Sequence, residues 1–304
     1  MKILTFFLCA IFMFGSMLKS FGAEALPQTI ISPIDGVPMA LIPASEFLRG
    51  TTQAQLDGIL RIDPSLESES LEDEKPARWI YLDDYYIDKY EVTVRRYRKF
   101  IGATGYPEPD WVSIRYFSPT DNHPVTYVSW EDAVAYAEWA GKSLVTEAQW
   151  EKAARGGLEG KLYPWGDELT REDANYLGVE GRDKWDLTTS PVGSFPPNGY
   201  DIYDMAGNVL EWILDWYDAD YYQYCPKENP VNLTPTRFRV MRGGAWCFED
   251  EGLRCASRFI ENPLLRGADR EGFRCVLNVS QGSVPVEPTG RLATTWGTIK
   301  KVRN

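Results

Sequence analysis

Histidine is all but missing from this chain: His123 is the one copy in 304 residues. A three-histidine iron site or a two-histidine facial triad is thereby excluded. Any Ser/His/Asp triad would have to use His123, and no nucleophile elbow accompanies it. Within His123-Pro124-Val125, ahead of a strand, the imidazole reads as a structural hydrogen-bonder. No glycine-rich phosphate loop follows a strand, because Arg155-Gly156-Gly157 ends a helical pattern. Basic residues are short as well. Against 44 Asp and Glu there are 32 Lys and Arg, a net charge of −12, so the basic footprint that nucleic acid demands is lacking. Such a balance suits a soluble protein that holds cations.

Cysteine is sparse, with five copies, and the apolar run from Ile3 to Leu18 is short for a bilayer span. Preceded by Lys2 and followed by Ala23-Glu24-Ala25, that run reads as an export signal over residues 1–25, the alternative being an uncleaved anchor. The expected location is exported, periplasmic or secreted, with no membrane contact after the signal is removed. Cys9 leaves with the signal. Cys225, Cys247, Cys255 and Cys275 remain, enough for two disulfides in any of three connectivities.

What is abundant is aromatic: 11 Trp, 17 Tyr and 13 Phe, mostly scattered between glycines and turn residues. This is the look of a loop-rich fold whose irregular core is filled by large rings. Val37 to Gly50 alternates as a strand, a bend and a second strand. The acidic stretch from Thr51 to Glu74 reads as a solvated loop, and Trp79 to Ile87 as a strand. Thr93 can cap a helix with Val94, Tyr97, Phe100 and Ile101 on one face and Gly105 as its stop. Ser129 with Asp132, and Thr146 with Gln149, are capping boxes for two more helices, ended by Gly141 and by Gly156-Gly157. Glu147 and Glu151 share one face of the second, in a solvated or hydrogen-bonding role. Beyond Gly156 periodicity largely disappears, except for short strands around Arg237–Met241 and Arg274–Leu277. Loops this long need a staple, such as a disulfide or a bound ion. Past Ser280 the chain becomes a Pro/Gly-rich linker and basic tail, residues 280–304.

Several short motifs occur in order: Ile42-Pro43-Ala44, Tyr90-Glu91-Val92-Thr93, His123-Pro124-Val125, Val128-Ser129-Trp130, Thr146-Glu147-Ala148-Gln149-Trp150-Glu151 and Tyr163-Pro164-Trp165-Gly166. They are followed by Gly207-Asn208-Val209-Leu210-Glu211-Trp212, Arg242-Gly243-Gly244-Ala245-Trp246, Arg254-Cys255-Ala256-Ser257-Arg258 and Gly272-Phe273-Arg274-Cys275. Each is weak alone; their order and spacing closely resemble the sulfatase-modifying-factor family. That family includes the formylglycine-generating enzyme, a copper-dependent oxidase that uses two nearby cysteines to convert a sulfatase cysteine to formylglycine. The resemblance implies one α+β domain over residues 37–279, with little regular structure and a kinship to the C-type lectin architecture.

It also implies two structural calcium ions. The first would be held by Asn175, Tyr176, Asp183 and Trp185, with Asp186 competing for the place of Asp183. The second would be held by Asp204, Gly207, Val209 and Glu211. The chemistry suits the ion, since Ca²⁺ takes six to eight oxygens and an irregular loop frees backbone carbonyls to supply several.

At the oxidase site the family pattern fails. Where the family has two cysteines this chain has Cys247, and Phe248-Glu249-Asp250-Glu251-Gly252-Leu253 is too short and carries acids where the second thiol should stand. Carboxylates are poor substitutes for thiolates toward Cu(I), so a copper cofactor is not expected. Ala245 stands for the usual serine, Leu210 for a tryptophan, and Ala137 and Ala154 for two cysteines that staple vertebrate-like members. Cys247 is left as a disulfide partner or inert thiol, or as a catalytic redox residue. The expected function is an exported, calcium-stabilised accessory or binding domain for a protein or small molecule, or an enzyme of other chemistry. The alternative is a formylglycine-generating oxidase whose partner is an exported sulfatase.

Overall fold

A computed structural model describes residues 25–62, 68–177, 184–185, 187–265 and 267–279. The segment read as an export signal and the tail 280–304 lie outside the described residues, as do Asp183 and Asp186. Strands are β1 (Thr29–Ile31), β2 (Pro38–Ile42), β3 (Ser45–Arg49), β4 (Arg78–Leu82), β5 (Tyr85–Asp88), β6 (Ser143–Leu144), β7 (Leu210–Trp216), β8 (Arg239–Arg242), β9 (Phe259–Glu261), β10 (Glu271–Gly272) and β11 (Cys275–Asn278). Helices are α1 (Gln53–Ile62), α2 (Val94–Thr104), α3 (Trp111–Phe117), α4 (Trp130–Trp139), α5 (Glu147–Ala154) and α6 (Tyr221–Tyr224).

One sheet has the order β1-β2-β5-β11-β6, so the first and last strands of the domain lie together. A second runs β10-β7-β8-β9, with β10 parallel to β7 and the other pairs antiparallel. β3 and β4 form a separate ribbon. Between the elements sit two large apolar clusters, one around Tyr97, Phe100, Tyr136, Trp212 and Phe273, the other around Tyr85, Trp150, Ile213 and Val276.

The helix signals are realised at their caps. Thr93 accepts from the Arg96 amide and Gly105 closes α2 in the left-handed region, at φ 68°. Both capping boxes form, at Ser129 with Asp132 and at Thr146 with Gln149. Two expectations are corrected. Thr51 to Glu74 is not simply a solvated loop: α1 buries Leu56 and Ile59 against Leu71, and Glu74 makes two 2.8 Å bonds to Arg254. The strand expected over Trp79 to Ile87 breaks at Asp83-Asp84, because β4 and β5 belong to different sheets. Asp84 accepts from the Ala44 amide and Asp83 from Asn229 across that break.

Glu147 and Glu151 are fully buried rather than solvated. Glu147 receives Arg258 at 2.7 and 3.1 Å, while Glu151 receives Arg155 at 2.6 Å and Arg242 at 2.7 Å. Despite burial, which opposes it, Arg258 and Arg242 hold Glu147 below the ordinary carboxylate range, and Arg155 and Arg242 do the same for Glu151. The two disulfides that four cysteines allow are not formed. Cys225, Cys247, Cys255 and Cys275 are free thiols, and buried ion pairs and side-chain amides tie the loops instead. Asn198, for example, donates to the carbonyls of Ala153 and Ala154, closing the loop after α5.

Candidate functional site

The turn that leads into β7 gathers three residues at positive φ. Asp204, Gly207 and Asn208 all have positive φ, at 56°, 79° and 60°, a conformation costly for residues with a Cβ unless their surroundings impose it. Asn208 supplies that constraint. Its amide donates to the Asn175 carbonyl at 2.8 Å, its Oδ1 accepts from the Ser190 amide at 2.8 Å, and its Nδ2 donates to Glu91 Oε2 at 2.8 Å. Gly207 must be glycine, because a Cβ there would collide with the same Asn175 carbonyl. The loops of the two expected calcium sites therefore interlock.

Three acids, Glu91, Asp204 and Glu211, are buried around this turn, and Arg274 is the guanidinium that reaches all of them. Glu211 opens β7, where its carboxylate meets Arg274 at 2.8 Å and accepts from Trp150 Nε1 at 2.9 Å. Asp204 Oδ2 accepts from the Gly193 amide at 2.7 Å, but Asp204 Oδ1 and Glu91 Oε1 are buried with no partner. Burial pushes Asp204 up to about 6, opposed by the Gly193 amide and Arg274 and aided by Glu211. Burial, with Asp204 beside it, drives Glu91 well above its ordinary value. Two unpartnered carboxylate oxygens in a cluster with more acid than base are what a bound cation would satisfy.

Among the described residues no three Asp, Glu, His or Cys side chains alone make a metal-holding group, so backbone oxygens such as those of Gly207 and Val209 would have to contribute. Of the expected side-chain ligands Asp204 has a free oxygen, whereas both Glu211 oxygens are engaged by Arg274 and Trp150. In the neighbouring loop, Asn175 Nδ2 donates to the Thr188 carbonyl at 3.0 Å and Thr188 Oγ1 to the Trp185 carbonyl at 2.7 Å, which brings Asn175 and Trp185 to one loop. Tyr176 is buried beside them, 5.6 Å below the Arg171 guanidinium. Glu91 and Asn208 were not singled out from sequence. Both stand in motifs already quoted, but only the fold joins them, Asn208 to Glu91, beside the Gly207 turn.

Cys247 lies after the Gly243-Gly244 turn that leaves β8. Gly244 takes φ 72° under the Gly252 carbonyl, and the Trp246 amide donates to Asn208. Trp246 stacks on Phe117 at 5.6 Å. The Cys247 thiol is half-buried. Burial raises its pKa, Arg270 opposes and Asp269 reinforces the shift, so it stands as a thiol and not a thiolate. Cys255 is pushed up to about 12 by burial inside the cluster around Trp150, and Cys275 is raised well up inside the cluster around Phe273. Cys225 packs with Tyr221 and Tyr222, its sulfur 2.8 Å from Arg49 Nη2. Each of these three thiols is buried against other partners.

Around Phe248, the residue after Cys247, opens a cleft of about 320 Å³, walled by Leu210, Met241, Phe248 and Phe259, with Glu261, Arg270 and Glu271 among its polar groups. Of this cleft the sequence reading reached Leu210, because the rest of the lining comes from four strands and from loops as distant as Asp73.

Helices and three small sheets around an aromatic core, with long loops locked by buried charges, define a single α+β fold of the kind related to C-type lectins. The family described as sulfatase-modifying factor enzyme 1-like domain matches residues 35–279, and the chain belongs to that family. It is similar to the formylglycine-generating enzyme of Mus musculus, at 33% identity over 80% of this chain and 76% of the mouse protein. The Streptomyces coelicolor enzyme of the same name is 34% identical over 83% of this chain and 93% of its own. A serine/threonine-protein kinase, pkn1 of Chlamydia pneumoniae, is 34% identical, but the chain spans 40% of that protein's length. Among solved structures, PvdO from Pseudomonas aeruginosa superimposes with a TM-score of 0.67 at 27% identity, over 83% of this chain and 99% of PvdO.

Proposed function

We propose that this chain is an exported family member, stabilised by calcium, that acts as a binding or accessory domain and does not perform the two-thiol copper oxidation. The observation that carries the reading is the state of Cys247, a free thiol in no disulfide. It is a half-buried thiol held protonated, and the other three cysteines are buried against partners of their own. A soft metal such as Cu(I) needs paired thiolates, and the residues around Cys247 supply Glu249, Asp250 and Glu251 in their place. Calcium is supported by the two unpartnered carboxylate oxygens of Glu91 and Asp204 next to the Gly207 turn. When bound, it would neutralise their charge and hold the interlocked loops together.

The identity to formylglycine-generating enzymes keeps the oxidase as the competing reading. Incubating the purified protein with copper, oxygen and a Cys-x-Pro-x-Arg peptide decides between them. No aldehyde is expected by mass spectrometry. Aldehyde that forms with this chain and vanishes with Cys247→Ser would overturn the proposal.

A further inference from the structure

Sheet register gathers a set of side chains that no motif contains. Glu271 is paired with Leu210, Trp212 with Met241, Met241 with Phe259, and Arg239 with Glu261. Partners in register, and residues two apart on one strand, share a face. Glu271, Leu210, Met241, Phe259 and Glu261 thus fall on one side of the β10-β7-β8-β9 sheet, and they line the cleft around Phe248. Phe248 closes over them with its ring edge-on to Phe259 at 5.0 Å. Where the family resemblance expects a tryptophan, Leu210 leaves the space open.

The charges of the cleft are unevenly satisfied. Arg258 is neutralised by Glu147 at 2.7 Å, and Asp73 accepts from the Tyr217 hydroxyl at 2.8 Å. Arg270 lies 3.7 Å from Asp269. Glu261 and Glu271 have no ion-pair partner among the described residues. Glu271 is 2% exposed, and its Oε2 accepts from the Ala268 amide at 2.8 Å while Oε1 has no hydrogen-bond partner among them. Burial, with Glu261 nearby, pushes Glu271 up to about 7 against the Ala268 amide and Arg270, which compensate its charge only in part. A buried carboxylate at the end of an apolar slot is matched by a ligand with an apolar body and a protonated head.

We infer that this cleft binds a small organic ammonium compound, its apolar body between Phe248, Phe259, Leu210 and Met241 and its ammonium group on Glu271. The inference deepens the binding-domain reading, on which it rests, by naming the class of ligand. A charge-assisted hydrogen bond on a buried carboxylate makes the head group discriminating, and the cleft volume of about 320 Å³ holds a molecule the size of an arylethylamine.

Isothermal titration of the full mature chain tests it, with phenethylamine as probe and 2-phenylethanol and phenylacetate as its neutral and anionic counterparts. Saturable binding of the amine is expected, with neither counterpart binding comparably. Glu271→Gln, which keeps an acceptor for the Ala268 amide, should weaken the amine by about tenfold or more. Leu210→Trp should abolish binding by filling the slot, and melting curves of both variants check that they fold. No saturable binding of the amine, equal binding of phenylacetate, or amine affinity unchanged in both folded variants would overturn the inference. Aldehyde formation in the peptide assay would instead overturn the non-oxidase reading and leave the amine titration standing on its own result.

Discussion

Glu211 and Arg274 meet at 2.8 Å across 63 residues of sequence, with neither side chain open to solvent. Arg274 also reaches the carbonyls of Tyr203 and Asp204, so the pair joins the end of the domain to the Gly207 turn. Removing one member would leave a buried charge with no counterpart, which costs about 3–5 kcal/mol. Against a total stability of roughly 5–15 kcal/mol, Glu211→Ala should therefore lower the melting temperature sharply in chelator as well as in calcium. A denaturation midpoint close to the parent's would show that the pair is not structural.

Calcium sensitivity is expected to reside in Glu91 and Asp204, whose orphaned oxygens have nothing else to bind. Chelation should lower the melting temperature of the parent, the ion contributing about 2.7 kcal/mol at a hundredfold excess over its Kd. Asp204→Asn combined with Glu91→Gln should abolish that response and melt higher than the parent in chelator, since two buried carboxyls that repel one another are gone. Identical calorimetric melts with and without chelator, on parent protein shown by elemental analysis to carry metal, would contradict this.

His123 offers a clean pH test because it is the sole histidine. The Thr189 hydroxyl donates to the Phe117 carbonyl at 2.7 Å, so the 2.9 Å contact from His123 Nδ1 is a donation to Thr189 by a neutral ring. Burial holds its pKa down to about 4, opposed by the hydrogen bond at Thr189, against 6.5 for the free group. A folded value below the unfolded one means that the stabilisation is complete above pH 6.5 and is lost as pH falls toward 4. The imidazole signals in a nitrogen-correlated NMR titration should move near pH 4, and a midpoint near 6.5 would refute the buried neutral ring.

Thiol labelling should discriminate among the cysteines. Cys247 is half-buried, while Cys225, Cys255 and Cys275 are 3% exposed or less. In the mature native protein a maleimide should modify Cys247 first, with the other three reacting only after unfolding. Peptide mapping checks the order, and a non-reducing map that shows a linked pair would contradict the free-thiol arrangement.

Gly207→Ala should be among the most damaging small substitutions. It forces a Cβ at φ 79° against the Asn175 carbonyl, combining backbone strain with displacement of the neighbouring loop. A loss above about 2 kcal/mol is expected in urea melts. Gly36, also at positive φ but with open space around it, serves as the control for strain alone.

What the sequence determined by itself is local or written in ordered motifs. Thr93, Ser129 and Thr146 announced their helices because a cap needs only the next three residues. The motif series from Ile42 to Cys275 was enough to place the chain in its family. It also exposed the missing second thiol, since an absent residue is visible without a fold.

Tertiary structure decided where charge is buried and what it meets. For Glu147 and Glu151 a solvated or a hydrogen-bonding role stayed open, because a helical face does not say which neighbour covers it; Arg242, Arg258 and Arg155 settle it as hydrogen-bonding. Thr51 to Glu74 looked like a loop because Glu74 reaches its partner Arg254 across 180 residues. Four cysteines allowed disulfides on paper, yet the fold keeps all four as free thiols. Glu91 came to the Gly207 turn, and Glu271 to the cleft beside Leu210, through strand pairing and loop closure alone. Composition and spacing carry no information about either, because a buried electrostatic environment is set by residues far apart in sequence.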